Sequence, residues 1–345
     1  MGRPPETPPH SLKIHAWPVA DRLAWDEARR PHGRIIRGGR AAHLCFATQK
    51  DLERRYGQFL EHVLRVTGRL ELAGPACHVT PVVVPSYVAE LQSRVASVTV
   101  HGSIAKLRCM AQNLAPATDF TWLRDIESDL ALNMTPASKF GRFAQTDKIV
   151  LAGLTLMEEA ETIRTGTSLQ RAQSFRNGLM IALLALCPIR LKNLSSLILD
   201  KHLVRVGDNW CIVLSAKETK ERRADERPIP IQLTSWINLY LGTHRPIFGY
   251  SGKAFWVGCY GKPLSYSAIA RIITETTRMT LGLPMSPHMF RTSAASTTYT
   301  HTGNNSNLAS ALLNHRDPKI TQEHYNRSRS AFYGCEFLKL LENLP

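Results

Sequence analysis

The sequence contains no long apolar run and none of the cysteine patterns that indicate metal binding. It has no stretch of about 18 consecutive apolar residues that could form a membrane span, and its first residues, MGRPPETPPHS, lack the apolar core of a signal peptide. The seven cysteines include neither a CxxC pair nor a Cys/His set at zinc spacing. We therefore expect a cytoplasmic protein with free thiols, no membrane span, and no metal or other cofactor.

Acidic residues are also few relative to basic ones. The 345 residues include 43 Lys and Arg but 28 Asp and Glu, a formal net charge of +15. This excess suits a polyanionic partner, because each neutralised phosphate releases condensed counterions. The alternative is a basic surface that serves solubility or attracts acidic lipid, but no basic amphipathic helix or lipidation signal supports a membrane. The acidic clusters that a two-metal nuclease needs are absent as well.

The chain is long enough for about two domains. Residues 1–44 are rich in Pro, Arg and Gly, which predicts a basic, partly ordered N-terminal arm, with a flexible solvated tail as the alternative. A second irregular stretch, 134–148, reads MTPASKFGRFAQTDK and predicts a linker. Residues 45–133 and 149–345 are then the two predicted domains.

Helical spacing of apolar residues dominates the first predicted domain. Four helices are predicted there: from the capping pair Thr48 and Asp51 to Gly68, after Pro85, over the apolar stripe Val100, Ile104, Leu107, Ala111 and Leu114, and from near Asp119 to before Pro136. Lys106 and Arg108 fall outside that stripe, where they can meet phosphates. The linker adds two further candidate DNA contacts, Lys139 and Arg142.

The second predicted domain mixes helices with a few short strands. Beyond the apolar helical run that ends in 187–190, we predict strands at 210–214, 228–231 and 254–257 and helices at 234–241 and 263–279. The helix at 263–279 has Ser265 or Ser267 near its cap, and it presents Arg271 and Arg278 as candidate DNA contacts.

The most informative stretch is 286–327, SPHMFRTSAASTTYTHTGNNSNLASALLNHRDPKITQEHYNR. His288 and Arg291 lie three residues apart, so on a helix they share a face and can converge on one anion. The planar guanidinium of Arg can bind two phosphate oxygens at once. Ser286 and Pro287 suit the cap and first position of that helix, whose N-terminus favours an anion. His315 follows on a turn, NHRDP, and Tyr325 comes next.

These residues resemble the C-terminal boxes of the tyrosine recombinases, the phage-integrase family. The run CPIRLKNLSSLIL resembles the family's first box, and Arg190 in it matches the catalytic arginine, with Asn193 where many members have an acidic residue. The polar stretch AKETKERRADER matches the hairpin that carries a catalytic lysine in the family. Lys217 aligns best with that lysine and Lys220 is the alternative, while Arg227 and Pro228 fit the return strand.

The resemblance implies a fold that is mainly α with a small antiparallel β-sheet. It implies a helical core-binding domain at 45–133 and a mixed α/β catalytic domain at 149–345, whose C-terminal helix, 331–342, packs either on its own chain or on a neighbour. It also implies six catalytic residues: Arg190, Lys217, His288, Arg291, His315 and Tyr325. Tyr325 would be the nucleophile, with Tyr299 and Tyr333 as alternative phenols.

The implied function is site-specific DNA recombination, in integration, excision or transposition, through a 3′-phosphotyrosine intermediate. The implied partners are double-stranded recombination sites, further copies of the chain that form a tetramer on synapsed DNA, and accessory or sister recombinases. The protein would then be associated with the bacterial nucleoid. Three alternatives are a type IB topoisomerase, a telomere resolvase, and a DNA-binding partner subunit without catalysis.

Overall fold

The computed structural model describes residues 11–33, 37–71, 73–136, 141–162, 166–302 and 312–313, with side chains as far as Thr298 in the last long helix. The chain divides into two units, Met1–Ser138 and Lys139–Pro345. Among the described residues, every helix is too short or too polar to cross a lipid bilayer.

The first unit is helical and encloses its own apolar core. Its helices are α1 (Val19–Ala28), α2 (Phe46–Thr67), α3 (Val84–Arg94), α4 (Ser97–Leu114) and α5 (Trp122–Leu132). The four helices predicted from the sequence are α2 to α5, and the predicted apolar stripe of α4 is buried throughout. The helix α2 ends at Gly68, whose φ of +76° is a left-handed conformation that glycine adopts without strain.

The predicted start of α2 is wrong by two residues. The helix begins at Phe46, its cap residue Cys45 makes no capping hydrogen bond through its side chain, and Thr48 lies inside the first turn. The Asp51 carboxylate instead binds two cations. It accepts a hydrogen bond from Arg54 at 2.7 Å and forms an ion pair with Lys106 on α4. Tertiary ion pairing thus uses the carboxylate that the local pattern assigned to a cap.

Part of the segment predicted as a basic arm belongs to this core. Trp17 and Trp25 are 3% and 0% exposed. Asp21 of α1 is fully buried, where it accepts hydrogen bonds from Tyr56 Oη at 2.8 Å and from the Ala76 amide at 2.6 Å. Burial of the large apolar area of two tryptophans stabilises this segment in the core, although its Arg, Pro and Gly content predicted an arm.

The second unit contains the remaining helices and the sheet. Its helices are α6 (Thr146–Thr162), α7 (Ser168–Leu186), α8 (Leu191–Ser195), α9 (Thr234–Leu239), α10 (Arg245–Ile247), α11 (Tyr266–Leu281) and α12 (Pro287–Thr302). The apolar helix α7 is central, with Leu179 to Leu184 fully buried. It lies very close to α6, because a Cβ built on Gly153 would lie 2.7 Å from the Gly178 carbonyl oxygen and one on Gly178 would lie 2.6 Å from that of Gly153.

The three strands form one antiparallel sheet in the order β1 (Leu203–Val206), β2 (Asn209–Leu214) and β3 (Asp225–Pro228). A mainly α fold with a small antiparallel sheet is therefore confirmed. The predicted strand at 210–214 is β2. The return strand begins three residues earlier than predicted, and within it Arg227 pairs with Ile212. The apolar segment 254–257, in which Phe255, Trp256 and Val257 are buried, forms two isolated bridges, Ile198 to Ala254 and Val257 to Pro263, in place of a regular strand.

The predicted cap of α11 and the predicted start of α12 agree with the structure, although α11 begins at Tyr266, three residues later than the predicted 263. Ser265 is the cap residue of α11, and its hydroxyl accepts a hydrogen bond from the Ala268 amide at 3.2 Å. Pro287 is the first residue of α12. The HxxR pair therefore lies in the first two turns of a helix, as its spacing predicts.

Candidate active site

Arg190 stands between two helices of the second unit. The apolar helix α7 ends before Cys187 and Pro188, and Arg190 has the extended backbone of a cap residue, with φ −70° and ψ 146°, at the start of α8. The amide of Asn193 donates to the Arg190 carbonyl oxygen at 2.8 Å and Asn193 is buried. The Arg190 side chain is one-quarter exposed, and its Nη2 donates to Glu221 Oε1 at 2.8 Å.

Arg291 is held from two directions by main-chain carbonyls. It lies on α12 and is 6% exposed, whereas His288, one turn earlier on the same helix, is exposed. Its Nη1 donates to the carbonyl oxygen of Pro188 at 2.5 Å, and its Nη2 donates to that of Leu313. Arg291 thus joins the segment before Arg190 to the segment before His315.

A third guanidinium, that of the buried Arg227, lies beside these two. Arg227 comes from β3, and its Nε and Nη2 donate to the two carboxylate oxygens of Asp225 at 2.8 and 3.0 Å. Its Nη1 donates to the Leu312 carbonyl oxygen at 2.7 Å. The sequence predicts Arg227 on the return strand and assigns it no catalytic role. The Arg-Pro pair was the available signal, but its contact with Leu312 spans 85 residues.

Burial and the repulsion of neighbouring cations lower the pKa of Arg291 without removing its charge at neutral pH. Burial is the largest cause that lowers the pKa of Arg291, to about 10, and the cations of Arg190 and Arg227 lower it further. The carboxylates of Asp225 and Glu221 act in the opposite direction. Arg291 remains a cation near neutral pH, so the cluster holds three guanidinium groups against the two carboxylates of Asp225 and Glu221, and the excess positive charge favours an anion.

The hairpin loop between β2 and β3 carries both candidate lysines. Lys217 lies in a turn directly after β2, Lys220 lies three residues further on, and both side chains are exposed. Thr219 between them is buried, and its hydroxyl donates to the Arg223 carbonyl oxygen at 2.6 Å. The loop is thus closed on itself over Thr219 to Arg223.

Two predicted catalytic residues, His315 and Tyr325, lie outside the described residues, as do Tyr333 and the side chain of Tyr299. The described chain resumes for Leu312 and Leu313, the second of which lies two residues before His315. Of the six predicted catalytic residues, the structure therefore brings Arg190 and Arg291 together, places Lys217 on the hairpin and His288 on α12, and leaves the other two as predictions.

The predicted DNA contacts fall into two groups. Lys106 forms an ion pair with Asp51, Arg108 donates to both carboxylate oxygens of Glu127, and Arg278 pairs with Glu275. Arg142 and Arg271 are exposed, and Lys139 lies outside the described residues. Pairing with carboxylates lowers the net charge that the first group offers to phosphates. Within the described ranges, no three His, Cys, Asp or Glu side chains come together as a metal-ligand set.

The chain is similar in sequence and fold to known recombinases. The sequence profile described as the phage integrase family matches residues 154–331. The XerH site-specific recombinase bound to difH substrate, in a pre-cleavage complex, has a TM-score of 0.55 at 12% identity, over 93% of this chain and 98% of that one. XerH bound to palindromic difH substrate, in a post-cleavage complex, has a TM-score of 0.53 at 14% identity, over 81% of this chain and 75% of that one.

At these identities the solved structures establish a shared fold and nothing finer. No curated protein matches the sequence at a significant level. The family profile, however, covers slightly more than half of the chain, and its span contains all six predicted catalytic residues. The chain therefore belongs to the phage integrase family, the tyrosine recombinases, whose members cleave and rejoin DNA.

Proposed function

We propose that the protein is a site-specific recombinase that cuts each DNA strand with Tyr325 and stores the cut as a 3′-phosphotyrosine. The observation that supports this most directly is the cluster of three guanidinium groups, Arg190, Arg227 and Arg291, in one part of the second unit. Such a cluster is suited to a phosphodiester, which carries one negative charge before attack and more in its pentavalent transition state. Fixed cations stabilise that state where its charge develops.

The two predicted catalytic arginines are suited to different tasks. Arg190 is partly exposed and has one ion pair, with Glu221, so it can exchange that carboxylate for phosphate oxygens. Arg291 uses two of its N–H groups on main-chain carbonyls, and a guanidinium has five. It can therefore hold the site together and still direct charge and a remaining donor at the phosphate.

Residues of this chain can carry out every proton transfer of the cleavage step. The Tyr325 oxygen forms a bond to phosphorus while the bond from phosphorus to the 5′-oxygen breaks. His288 takes the phenol proton, because a phenol with a pKa near ~10 is a poor nucleophile until it loses that proton. The Lys217 ammonium gives a proton to the departing 5′-oxygen and becomes a neutral amine, and His315 donates a hydrogen bond to the phosphate. Attack by a 5′-hydroxyl on the phosphotyrosine reverses these steps and rejoins the DNA.

The proposed substrate and assembly rest on membership of the tyrosine recombinase family. We infer that the protein acts on pairs of double-stranded sites in the nucleoid, as a tetramer in which two pairs of protomers exchange strands, with accessory or sister recombinases where the element requires them. The C-terminal segment 331–342 is the candidate for contact with a neighbouring protomer. The net charge of +15 supports a DNA partner.

A covalent-trapping experiment tests the proposal. The probe is a library of nicked duplexes with a randomised core, in which cleavage releases a short fragment and so prevents rejoining. The wild-type protein should retain one family of sequences through a bond that survives detergent, with EDTA present, while Tyr325→Phe should bind the selected duplex and form no covalent complex. Tyr299→Phe and Tyr333→Phe are the controls, and both should form the complex. Relaxation of plasmids without strand exchange would instead indicate a topoisomerase.

A further inference from the structure

We propose that Glu218 is a positioning residue that holds Lys217 in place to protonate the leaving 5′-oxygen. This inference rests on the proposed role of Lys217 as the general acid. Lys217 and Lys220 are both exposed, and their sequence spacing alone does not distinguish them. Their surroundings do, because Lys217 lies inside a turn that a single carboxylate ties to the body of the second unit.

Both oxygens of Glu218 are used by donors from two segments of the chain. Its Oε1 accepts from Lys201 Nζ at 2.6 Å and from His202 Nε2 at 2.9 Å. Its Oε2 accepts from the amide and the hydroxyl of Ser215, at 3.0 and 2.7 Å. The Glu218 amide in turn donates to the Ser215 carbonyl oxygen at 3.0 Å. Lys217 thus lies within a closed turn, Ser215 to Glu218, whose last residue is fastened to the start of β1.

His202, which contacts Glu218, is itself held by main-chain groups. His202 is 3% exposed, and its Nδ1 lies 2.9 Å from the Ser196 carbonyl oxygen and 3.2 Å from the Ile198 amide nitrogen. Ser196 is the residue that ends α8, the helix that Arg190 caps. A continuous series of hydrogen bonds therefore runs from the end of α8 through His202 and Glu218 to the turn that carries Lys217. Lys217, the proposed acid, and Arg190, the phosphate-binding arginine, are therefore connected through one hydrogen-bond network.

The charge balance at this point leaves Lys217 available to the DNA. The hydrogen bonds from Lys201, Ser215 and His202, in that order, hold the pKa of Glu218 far below its ordinary value, so the anchor is ionised at neutral pH. Lys201 supplies the compensating positive charge, and both carboxylate oxygens are occupied. The Glu218 carboxylate therefore fixes the backbone at Lys217 and is already paired with another cation.

Lys220 lies on a different part of the loop. It follows Thr219, in a turn where the Arg222 amide donates to the Thr219 carbonyl oxygen at 3.4 Å and Arg222 has a φ of +54°. Contacts within the loop close this tip, and its link to the body of the unit is the hydrogen bond from Arg190 to Glu221, a pair that an incoming phosphate would displace. A general acid must reach within about 3 Å of the atom it protonates, and a long lysine side chain meets that condition more often when its backbone is fixed. Anchoring favours Lys217.

The experiment uses leaving groups that differ in their need for a proton. The duplex selected by covalent trapping is prepared with a 5′-oxygen and with a bridging 5′-sulfur at the scissile bond. A thiolate departs without protonation, so defects in the acid vanish on the sulfur substrate. Lys217→Ala should slow cleavage of the oxygen substrate by on the order of a hundredfold and be restored on the sulfur substrate.

Glu218→Gln keeps the size of the side chain but cannot accept all four hydrogen bonds. It should slow cleavage of the oxygen substrate by roughly tenfold, with cleavage of the sulfur substrate within about twofold of wild type, as expected when proton transfer alone is impaired. The double variant with Lys217→Ala should be no slower than Lys217→Ala alone, since the two residues act as one unit. Glu226→Gln, on the exposed carboxylate of β3, is the matched control and should cleave both substrates normally.

Ser215→Ala provides a second, milder variant that removes one donor from the anchor. Its rate of cleavage should also fall selectively on the oxygen substrate, by a smaller factor than in Glu218→Gln. Equal defects of Glu218→Gln on both substrates, or multiplied defects in the double variant, would overturn the inference even where Lys217→Ala is restored by sulfur. If sulfur restores Lys220→Ala and not Lys217→Ala, the assignment of the acid fails first and Glu218 loses its proposed role with it.

Discussion

Arg190→Ala and Arg291→Ala should affect catalysis alike and stability very differently. Arg291→Ala leaves the buried carbonyls of Pro188 and Leu313 without donors, at about 1–3 kcal/mol each. Loss of the two methylenes beyond Cβ adds about 2 kcal/mol. Removal of a cation whose pKa is lowered to about 10 returns about 3 kcal/mol of unfavourable burial. The net loss in the free energy of unfolding is on the order of 3 kcal/mol.

Arg190→Ala removes one ion pair between side chains that are 25% and 20% exposed. Pairs of this kind contribute about 0–1 kcal/mol, so the stability of this variant should be close to wild type. In a unit of this size, Arg291→Ala should lower the melting temperature by about 6–12 °C and Arg190→Ala by at most a few degrees. Cleavage by each folded variant should fall by about a hundredfold, the loss expected for one transition-state donor.

Thermal and urea unfolding measure the loss of stability. Single-turnover cleavage, at a temperature where all variants are folded, measures the loss of catalysis separately. Arg291→Lys is the intermediate variant, because an ammonium keeps the charge but cannot bridge two carbonyls with the planar geometry of a guanidinium. It should recover part of the cleavage rate and little of the stability. The reasoning is refuted if Arg291→Ala melts with the wild type, or if Arg190→Ala is the less stable of the two alanine variants.

Three further outcomes are expected. Glu221→Gln should form the covalent complex about two- to fivefold faster than wild type, because the pair with Arg190 that phosphate must displace is worth up to about 1 kcal/mol; an unchanged or slower rate would contradict this. DNA affinity should fall steeply as salt rises, with a linear log–log slope, and an affinity that is the same at low and high salt would argue against phosphate contacts. The pKa of Glu218 is lower in the folded state than its usual 4.5, so the stability from its anchor is fully present above about pH 4.5 and is lost progressively as the pH falls from there towards the much lower folded pKa; the difference in unfolding free energy between wild type and Glu218→Gln should shrink from pH 6 to pH 3, and a constant difference would oppose the assignment.

Local patterns in the sequence predict local structure well. The apolar stripe of α4, the glycine that ends α2, the serine that caps α11 and the HxxR spacing on α12 all depend on residues within a few turns of one another. The chemistry of neighbouring side chains and the 3.6-residue period determine such features. The mainly helical fold with a small sheet followed from the resemblance of the motifs to those of the tyrosine recombinases.

Contacts between distant segments were not accessible in this way. Arg227 reaches Leu312 across 85 residues, and Arg291 reaches Pro188 across 103. Glu221 reads as one charge among many in a polar loop until its contact with Arg190 is seen. The two N-terminal tryptophans, likewise, are buried by helices that come later in the chain. No periodicity records which far segment will accept a hydrogen bond or cover an aromatic ring.

The use of main-chain carbonyls around the arginine cluster bears on how this enzyme can be engineered. Pro188, Leu312 and Leu313 contribute backbone oxygens to the cluster, and an oxygen of this kind is present whichever amino acid occupies the position. Libraries that vary side chains near the cluster in search of new target sites therefore leave the acceptors of Arg227 and Arg291 in place.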